Sequence, residues 1–330
     1  MNTNAVAGFL LCLGAFSAQA QIAPPLTLQR TLALPGVTGK FDHFAYDPAS
    51  NRLFAAAAGN HSVEVIELSS GKVVESLTGL GKPHGLAWMA ETKRLFASDG
   101  VQGDLKIYEG APLKQIKSIE LSDDADDMVY DAKTKLLYVG HGGGPGHPAM
   151  IAVVDTANQT LVTNLPVATH PEGLELDQAN DRIFVNIADA AEVAVIDGAT
   201  HTQSATWKLT RAKDNVPLVY DEEDQVLFVA CRTPARLLVL DGRSGQELAD
   251  LPTDTGADDL FYDAALHRVY LIAGGGAVDV FEISGSKKVR ALGVAHTPAG
   301  TKTGLLVPLQ HALFVGVPGQ QAGVLVYATR

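Results

Sequence analysis

Cysteine is nearly absent from this chain of 330 residues, which contains only Cys12 and Cys231. Cys12 lies in an N-terminal signal segment described below, so the mature chain retains one cysteine and has no internal disulfide. No Cys-x-x-Cys-His sequence occurs, which excludes covalent attachment of a c-type haem. Stability must therefore come from core packing, for which 46% hydrophobic residues are ample.

Basic side chains are also few, because 25 Lys and Arg stand against 37 Asp and Glu, for a formal net charge of −12. Nucleic acids and anionic membrane surfaces are bound mainly through Lys and Arg. We therefore expect neither as a partner. Beyond the N-terminal segment, no apolar run is long enough for a transmembrane helix, so we expect no membrane span.

The first 20 residues lack charged side chains altogether. They contain an apolar segment, residues 6–16, and end in Ala18-Gln19-Ala20, a small-x-small cleavage pattern. This pattern predicts a signal peptide over residues 1–20. A membrane anchor is the alternative, but the apolar segment is too short to span a bilayer. We expect a monomeric protein that is periplasmic or secreted.

Self-similarity at a fixed spacing dominates the rest of the chain. The first copy, residues 41–77, alternates short apolar runs with turn formers, which indicates four strands. The residue that ends the first strand recurs every 42 to 46 residues, at Asp47, Met89, Asp131, Asp177, Asp221, Asp263 and Pro308. An aromatic residue follows on each second strand, at Phe54, Phe96, Tyr138, Phe184, Phe228, Tyr270 and Phe314.

Seven copies of this unit predict an all-β fold, a seven-bladed β-propeller with four antiparallel strands per blade. An open solenoid is the alternative, but it would need capping repeats at both ends, and the sequence shows none. The seventh copy ends after its third strand, while residues 26–34 form an additional strand before the first copy. We predict that this N-terminal strand joins the last blade and closes the ring, within one domain over residues 21–330.

The repeats contain two distinctive runs, Gly81-Lys82-Pro83-His84-Gly85-Leu86-Ala87 and Ser62-Val63-Glu64-Val65-Ile66-Glu67. Both resemble the repeat of the YVTN-type, YncE-like family of exported β-propeller proteins. A closer resemblance to a YncE-like subgroup is carried by residues 41–43, 124–127, 170–172, 231–236 and 258–263. The resemblance covers nearly all of the mature chain. It implies the propeller fold and assigns no reaction.

Polar residues recur at the entrance of most first strands, five positions before the strand ends. This entrance ring is Asp42, His84, Asp126, Glu172, Val216, Asp258 and Thr303. First strands line the central channel of a propeller, so we expect these side chains to meet in a funnel. Crowded carboxylates repel one another unless a cation compensates. We predict a divalent metal site, for Ca²⁺, Mg²⁺, Mn²⁺ or, with imidazole, Zn²⁺, on Asp42, Asp126, Glu172 and Asp258.

Neighbouring positions supply further candidates for binding a small polar ligand. The next ring position contributes His43, Asp127 and Asp259, and Lys302 lies at the entrance of the seventh blade. The alternative is that such acidic residues are solvated turn residues, an interpretation that suits residues 123–127 best.

The loop after the second strand of the third blade is rich in glycine and is flanked by His141 and His147. These histidines are candidates for ligand binding, and the alternative is a flexible surface insertion. Arg232 ends the second strand of the fifth blade and is suited to holding a carboxylate, or else to an ordinary surface ion pair. Cys231 beside it is expected to be a buried, inert thiol.

Two classes of function fit this pattern. In the first, the propeller binds a small polar ligand or a divalent metal in its funnel, or acts as a scaffold for another exported protein. In the second, it is a metal-dependent lactonase, hydrolase or lyase in which His84 or His170 is the general acid or base and Arg232 orients the substrate. The sequence favours binding, because binding demands less than catalysis.

Overall fold

Seven four-stranded antiparallel sheets make up the computed structural model, which describes residues 24–285 and 287–329. The prediction of a seven-bladed β-propeller is thereby confirmed. The predicted signal peptide, residues 1–20, lies outside the described residues, so cleavage and export stay predictions. Among the described residues, no helix is long and apolar enough to cross a membrane.

Six blades are continuous stretches of chain whose strands are hydrogen-bonded in sequence order. Blades one to three comprise β2 (Phe44–Asp47), β3 (Arg52–Ala57), β4 (Ser62–Glu67), β5 (Lys72–Leu77), β6 (Pro83–Met89), β7 (Arg94–Asp99), β8 (Asp104–Glu109), β9 (Lys114–Glu120), β10 (Met128–Asp131), β11 (Leu136–His141), β12 (Met150–Asp155) and β13 (Thr160–Pro166). Blades four to six comprise β14 (Pro171–Asp177), β15 (Arg182–Ile187), β16 (Glu192–Asp197), β17 (Thr202–Lys208), β18 (Lys213–Asp221), β19 (Val226–Thr233), β20 (Ala235–Asp241), β21 (Glu247–Pro252), β22 (Ala257–Asp263), β23 (Arg268–Ala273), β24 (Ala277–Ser284) and β25 (Lys288–His296).

The seventh blade joins the two ends of the chain. It consists of β26 (Gly304–Val307), β27 (Ala312–Val317), β28 (Gly323–Ala328) and β1 (Thr27–Ala33). Strand β1 runs antiparallel to β28, with Leu32 opposite Val324. Leu32 and Leu34 are only 4% and 1% exposed and belong to the core shared with the first blade. Closure by the N-terminal strand is therefore confirmed, and it covers an edge that would otherwise be free to pair with other chains.

The aromatic residue on the second strand of every blade lies in the core. The seven side chains, Phe54, Phe96, Tyr138, Phe184, Phe228, Tyr270 and Phe314, are at most 2% exposed. Phe54 stacks on Trp88 of the next blade, with ring centroids 5.0 Å apart. Burial of each ring stabilises the fold by roughly 1.5–3 kcal/mol. The aromatic residue that recurs in the sequence therefore marks one core position in every blade.

The turn between the first and second strands has the same conformation in every blade. One residue there has φ between 49° and 64°, at Asn51, Lys93, Lys135, Asp181, Gln225, His267 and His311. The aspartate that ends the first strand stabilises this turn in five blades by accepting backbone N–H groups, as Asp47 does from Ala49 at 3.0 Å. These recurring aspartates are therefore structural.

Three short 3₁₀ turns are found among the described residues, Ala58–Asn60, Ala188–Ala190 and Pro308–Gln310. The first two follow β3 and β15, and the third connects β26 to β27.

Candidate functional site

The first strands surround a central cavity of about 520 Å³. Most of the residues predicted to form a site line it, namely Asp42, His43, His84, Asp126, Asp127, His170, Glu172, Arg232, Asp258, Asp259 and Lys302. The tertiary structure thus brings together side chains from all seven blades that are up to 260 positions apart in the chain. Thr303, the seventh member of the entrance ring, is 1% exposed and does not line the cavity.

An apolar layer lies two residues further along each first strand. It is formed by Phe44, Leu86, Met128, Leu174, Leu218, Leu260 and Leu305, all of which line the cavity. Polar side chains of the entrance ring therefore border a low-dielectric wall on the channel side. Electrostatic interactions at the mouth are strengthened as a result.

Backbone irregularities help to aim the entrance residues into the cavity. The pairing between first and second strands shifts register at the strand entrance in blades two, four, five and six, between Pro83/Leu86, Pro171/Leu174, Asn215/Leu218 and Ala257/Asp259. Such a bulge leaves residues unpaired and redirects their side chains. His84, Glu172 and Asp258 all lie in or beside these bulges.

Close approach of blades two and three depends on Gly85. A Cβ atom at this position would lie only 2.5 Å from the carbonyl oxygen of Asp126. The Ser98 hydroxyl joins the two blades, since it accepts a hydrogen bond from Gly85 N at 2.8 Å and donates one to Asp126 O at 2.7 Å. This contact places His84, the residue before Gly85, beside the Asp126 carboxylate.

Asp126 lies between two histidines. Nδ1 of His84 is 2.7 Å from its Oδ1, and Nε2 of His170 is 3.7 Å from its Oδ2. Burial acts to raise the pKa of Asp126, but the nearby His170 ring and the hydrogen bond from His84 outweigh it and hold that pKa well below its usual range. Asp126 is therefore ionised at neutral pH and is available as a ligand oxygen.

One ring nitrogen of His84 has no partner. The side chain is only 5% exposed, and Nε2 makes no hydrogen bond within the described residues. A Cβ at Gly100 would lie 3.0 Å from this nitrogen and 3.3 Å from Oδ1 of Asp124. The absence of a side chain at Gly100 thus leaves a space that a buried nitrogen and a carboxylate both face. A buried polar atom without a partner is costly unless a ligand occupies such a space.

His170 has its second ring nitrogen fixed by the backbone. Nδ1 lies 2.6 Å from the carbonyl oxygen of Gly142, so it donates its proton there and Nε2 faces Asp126. Burial lowers the pKa of His170, but the nearby Asp126 carboxylate and the hydrogen bond to Gly142 raise it to about 9. His170 is therefore protonated at neutral pH unless another cation takes its place.

His43 is surrounded by three carboxylates. Nδ1 lies 3.2 Å from Oδ1 of Asp259, while Nε2 lies 3.6 Å from Asp42 and 3.8 Å from Asp127. Burial lowers the pKa of His43, yet the charges of Asp127 and Asp259 raise it well above the ordinary value. A protonated His43 accordingly neutralises part of the acidic ring. Asp259 is held from the other side by the backbone N–H of Gly304 at 2.7 Å.

Three carboxyl groups of the cavity have raised pKa values. Burial, followed by the charge of Asp126, raises the pKa of Glu172 to about 7. Burial likewise raises the pKa of Asp127 to about 6 and raises that of Asp42, in both cases with a further contribution from Asp126. The acidic ring is therefore short of positive charge, which a cation would supply.

Two basic side chains meet at Asp258. Nη2 of Arg232 donates to Oδ1 of Asp258, and Nζ of Lys302 lies 2.5 Å from Oδ2. Arg232 also donates from Nε to the carbonyl oxygen of Ala257 at 2.8 Å. The proposed metal ligand Asp258 is thus already engaged by two cations.

Three groups of side chains present donor atoms within 4.8 Å of one another, as a metal site requires. They are Asp42 with His43 and Asp126, His84 with Asp124 and Asp126, and Asp126 with His170 and Glu172. Asp126 is common to all three. Asp258 belongs to none of the groups found among the described residues.

Two predicted ligand residues lie away from the cavity. His141 is buried, with Nε2 at 3.1 Å from Oδ1 of Asn164, and burial lowers its pKa. His147 is exposed, and its Nδ1 lies 3.0 Å from the hydroxyl of Ser122. Neither lines the cavity. The loop reaches the site at Gly142, whose carbonyl oxygen orients His170.

Sequence reasoning missed two acidic residues of the cavity. Asp124 was grouped with the solvated turn, yet it lines the cavity and joins a donor group. Glu175 lines the cavity at a position where the other blades have Ala45, Ala87, Val129, Val219, Phe261 and Leu306. A single acidic residue at a position that is apolar in the other six blades is the sequence signal that would have identified Glu175. Burial raises the pKa of Glu175 to about 7.

Cys231 lies at the site's edge without taking part in it. The side chain is 0% exposed, and burial raises the pKa of its thiol to about 12. A protonated, inaccessible thiol is not a nucleophile, and this agrees with the sequence prediction of an inert cysteine.

Comparison with known proteins identifies the fold alone. A chain of the mitotic checkpoint complex superimposes with a TM-score of 0.77 at 14% identity, covering 99% of both chains. Kuenenia stuttgartiensis hydrazine synthase gives a TM-score of 0.75 at 16% identity, covering 88% of this chain and 95% of that one. No family model and no curated protein matches the sequence. Because propellers host unrelated functions, function has to be argued from the site.

Proposed function

We propose that this protein binds a divalent metal ion at the mouth of its central channel, with Asp126 as the central ligand. The observation that carries the proposal is the membership of Asp126 in all three groups of converging donor atoms. The buried, unpartnered Nε2 of His84 supports it independently. The exported, YncE-like character of the chain belongs to the same proposal and is supported by the sequence of residues 1–20 and by the repeat runs.

The donor set favours a transition metal over Ca²⁺ or Mg²⁺. Asp42, Asp126 and Glu172 offer carboxylate oxygens, and His84 and His170 offer imidazole nitrogens. Mixed carboxylate and imidazole ligands suit Zn²⁺ or Mn²⁺. Ca²⁺ prefers about six to eight oxygen atoms and does not use the imidazole nitrogens that this ring offers. A bound cation would replace the protons on Glu172 and His170 and relieve the repulsion among the carboxylates.

A titration with Zn²⁺, with Mn²⁺ and Ca²⁺ for comparison, tests the site on protein purified without a chelator. Calorimetry should give one tight Zn²⁺ site, and Asp126→Asn should weaken it about 100-fold or more, because a shared ligand is lost. Asp123→Asn is the matched control, since it makes the same change in the same acidic run outside all three donor groups. Wild-type protein without a stoichiometric metal site, or equal losses in both variants, would contradict the proposal.

A metal-dependent lactonase, hydrolase or lyase is the second candidate. The specific observation in its favour concerns Glu172, which lies with Asp126 and His170 in one donor group. Burial raises the pKa of Glu172 to about 7. A carboxyl group with such a pKa is suited to acid–base catalysis at neutral pH, and the neighbouring His170 is suited to donate a proton. Turnover from a panel of lactones and esters, lost in Glu172→Gln while the fold remains, would support the enzyme. Metal-loaded protein inactive on the whole panel would leave binding as the function.

A further inference from the structure

Two walls of the cavity differ in the charged side chains that they offer to a ligand. The wall from blades one to four carries Asp42, Asp126 and Glu172, and the wall from blades five to seven carries Arg232 and Lys302. Both walls line the same cavity, which has a volume of about 520 Å³. One small molecule can therefore contact both walls.

Positive charge outnumbers negative charge around Asp258, because Asp259, the other carboxylate of this wall, is engaged by His43 and by the backbone N–H of Gly304. Two cations, Arg232 and Lys302, share the single carboxylate of Asp258. Their side chains are 38% and 30% exposed, so both remain accessible from the cavity. Within the described residues, Lys302 has no other acidic partner, and the Nη1 group of Arg232 has no acceptor. An ammonium group has three N–H donors and a guanidinium five, so several donors remain free.

We propose that Arg232 and Lys302 bind the oxyanion of a small ligand, a carboxylate or a phosphate, whose second oxygen donor reaches the metal ion beside Asp126. This inference rests on the proposed metal site and adds the class of ligand. Guanidinium and ammonium groups side by side match the charge and geometry of an oxyanion. A cavity of about 520 Å³ has the size of small-molecule sites. A neutral ligand would leave Arg232 and Lys302 sharing the single carboxylate of Asp258.

Calorimetric titration of Zn²⁺-loaded protein with three probes tests this subsite. Lactate offers a carboxylate and an adjacent hydroxyl, lactamide has the same shape without the charge, and inorganic phosphate tests the other oxyanion. We expect lactate or phosphate to bind at least about tenfold more tightly than lactamide, which corresponds to about 1.4 kcal/mol. The stronger of the two anions identifies the chemical source of the ligand.

Substitution of Lys302 separates the subsite from general charge effects. Lys302→Met should weaken binding of the preferred anion about tenfold, and Lys302→Arg should largely restore it. Lys135→Met is the matched control, because it changes the net charge equally at a lysine that pairs with Glu91 and does not line the cavity. Zn²⁺ affinity should be no weaker in Lys302→Met, which shows that the metal site remains intact.

The outcomes distinguish this inference from the proposed function. Lactamide binding as tight as that of the preferred anion, or unchanged anion binding in Lys302→Met, would overturn the oxyanion subsite while the metal site stands. The Zn²⁺ titration without any probe is read first. If wild-type protein binds no Zn²⁺, the proposed metal site is wrong. A ligand that connects the metal to Arg232 and Lys302 is then excluded as well.

Discussion

The two ends of the first strands use the same residue type in opposite ways. At the ends where these strands turn back, Asp47, Asp131 and three equivalent aspartates accept backbone N–H groups of their own turns. At the entrances, Asp42, Asp126 and Glu172 face one another across a cavity instead. Position in the blade, rather than residue type, therefore decides whether a carboxylate stabilises the fold or offers itself to a ligand.

Regularity distinguishes the two ends in the sequence as well. The turn aspartate recurs in five blades, because every blade needs the same turn. The entrance ring varies from Asp42 to His84 to Val216, because the blades contribute different groups to one shared site. A position that repeats indicates a requirement of the fold. A position that differs between blades within a polar ring indicates chemistry.

Removal of the strand that closes the ring should have the largest effect, because both ends of the first strands depend on closure. Deletion of residues 24–35 removes β1 and buried Leu26, Leu32 and Leu34 and exposes the edge of β28. We expect loss of the cooperative thermal transition and aggregation, measured by calorimetry and light scattering. A chain that begins at residue 24 is the control. A soluble deletion variant with a cooperative transition would show that β1 is dispensable.

Substitution at the turn should affect stability without affecting the site. Asp177 is 0% exposed and binds Arg182, with Nε of the arginine at 2.9 Å. Asp177→Ala removes the carboxylate that neutralises this guanidinium, which keeps only its hydrogen bond to the carbonyl oxygen of Gly242, so we expect the free energy of unfolding in urea to fall by about 3 kcal/mol. Zn²⁺ affinity should be unchanged. Asp189→Ala, at an exposed position, should change stability by less than about 0.5 kcal/mol. If Asp177→Ala also lost Zn²⁺ affinity, the turn aspartates could not be assigned to the fold alone.

Removal of the Glu172 charge at the strand entrance should have a smaller effect than Asp177→Ala, and it should stabilise the fold rather than destabilise it. The pKa of Glu172 is raised by burial to about 7, so the folded state binds its proton more tightly than the unfolded state. The resulting stability is present below the unfolded pKa and is lost as pH rises through about 7. Glu172→Gln avoids that loss. We expect it to increase the free energy of unfolding by about 1 kcal/mol at pH 8 without metal, and by less at pH 5.

Glu175→Gln is the matched variant for this test. The pKa of Glu175 is also raised by burial to about 7, but the residue belongs to none of the donor groups. Both variants should gain stability in metal-free protein at pH 8. Only Glu172→Gln should lose Zn²⁺ affinity and the thermal stabilisation that Zn²⁺ provides. If the two variants responded identically to Zn²⁺, Glu172 would not be a metal ligand.

Much of the candidate site followed from the repeat alone. Equivalent positions of successive blades must meet around the channel, and so the ring from Asp42 to Asp258 was predictable without coordinates. Asp124 was not, because it lies outside the strict period, and its place beside His84 depends on the turn conformation and on Gly100. The separation of His141 and His147 from the cavity was equally hidden, since the path of their loop is set by contacts with residues of the neighbouring strands.

The sequence by itself determined the number of blades, the position of the core aromatics and the closure of the ring, because each follows from a spacing that the chain repeats. Only the tertiary structure decided which entrance residues pair. It placed His84 and His170 on Asp126, and it placed Arg232 and Lys302 on Asp258. The physical reason is that periodicity fixes the ring on which a residue lies, whereas charge pairing depends on contacts of a few ångströms between different blades.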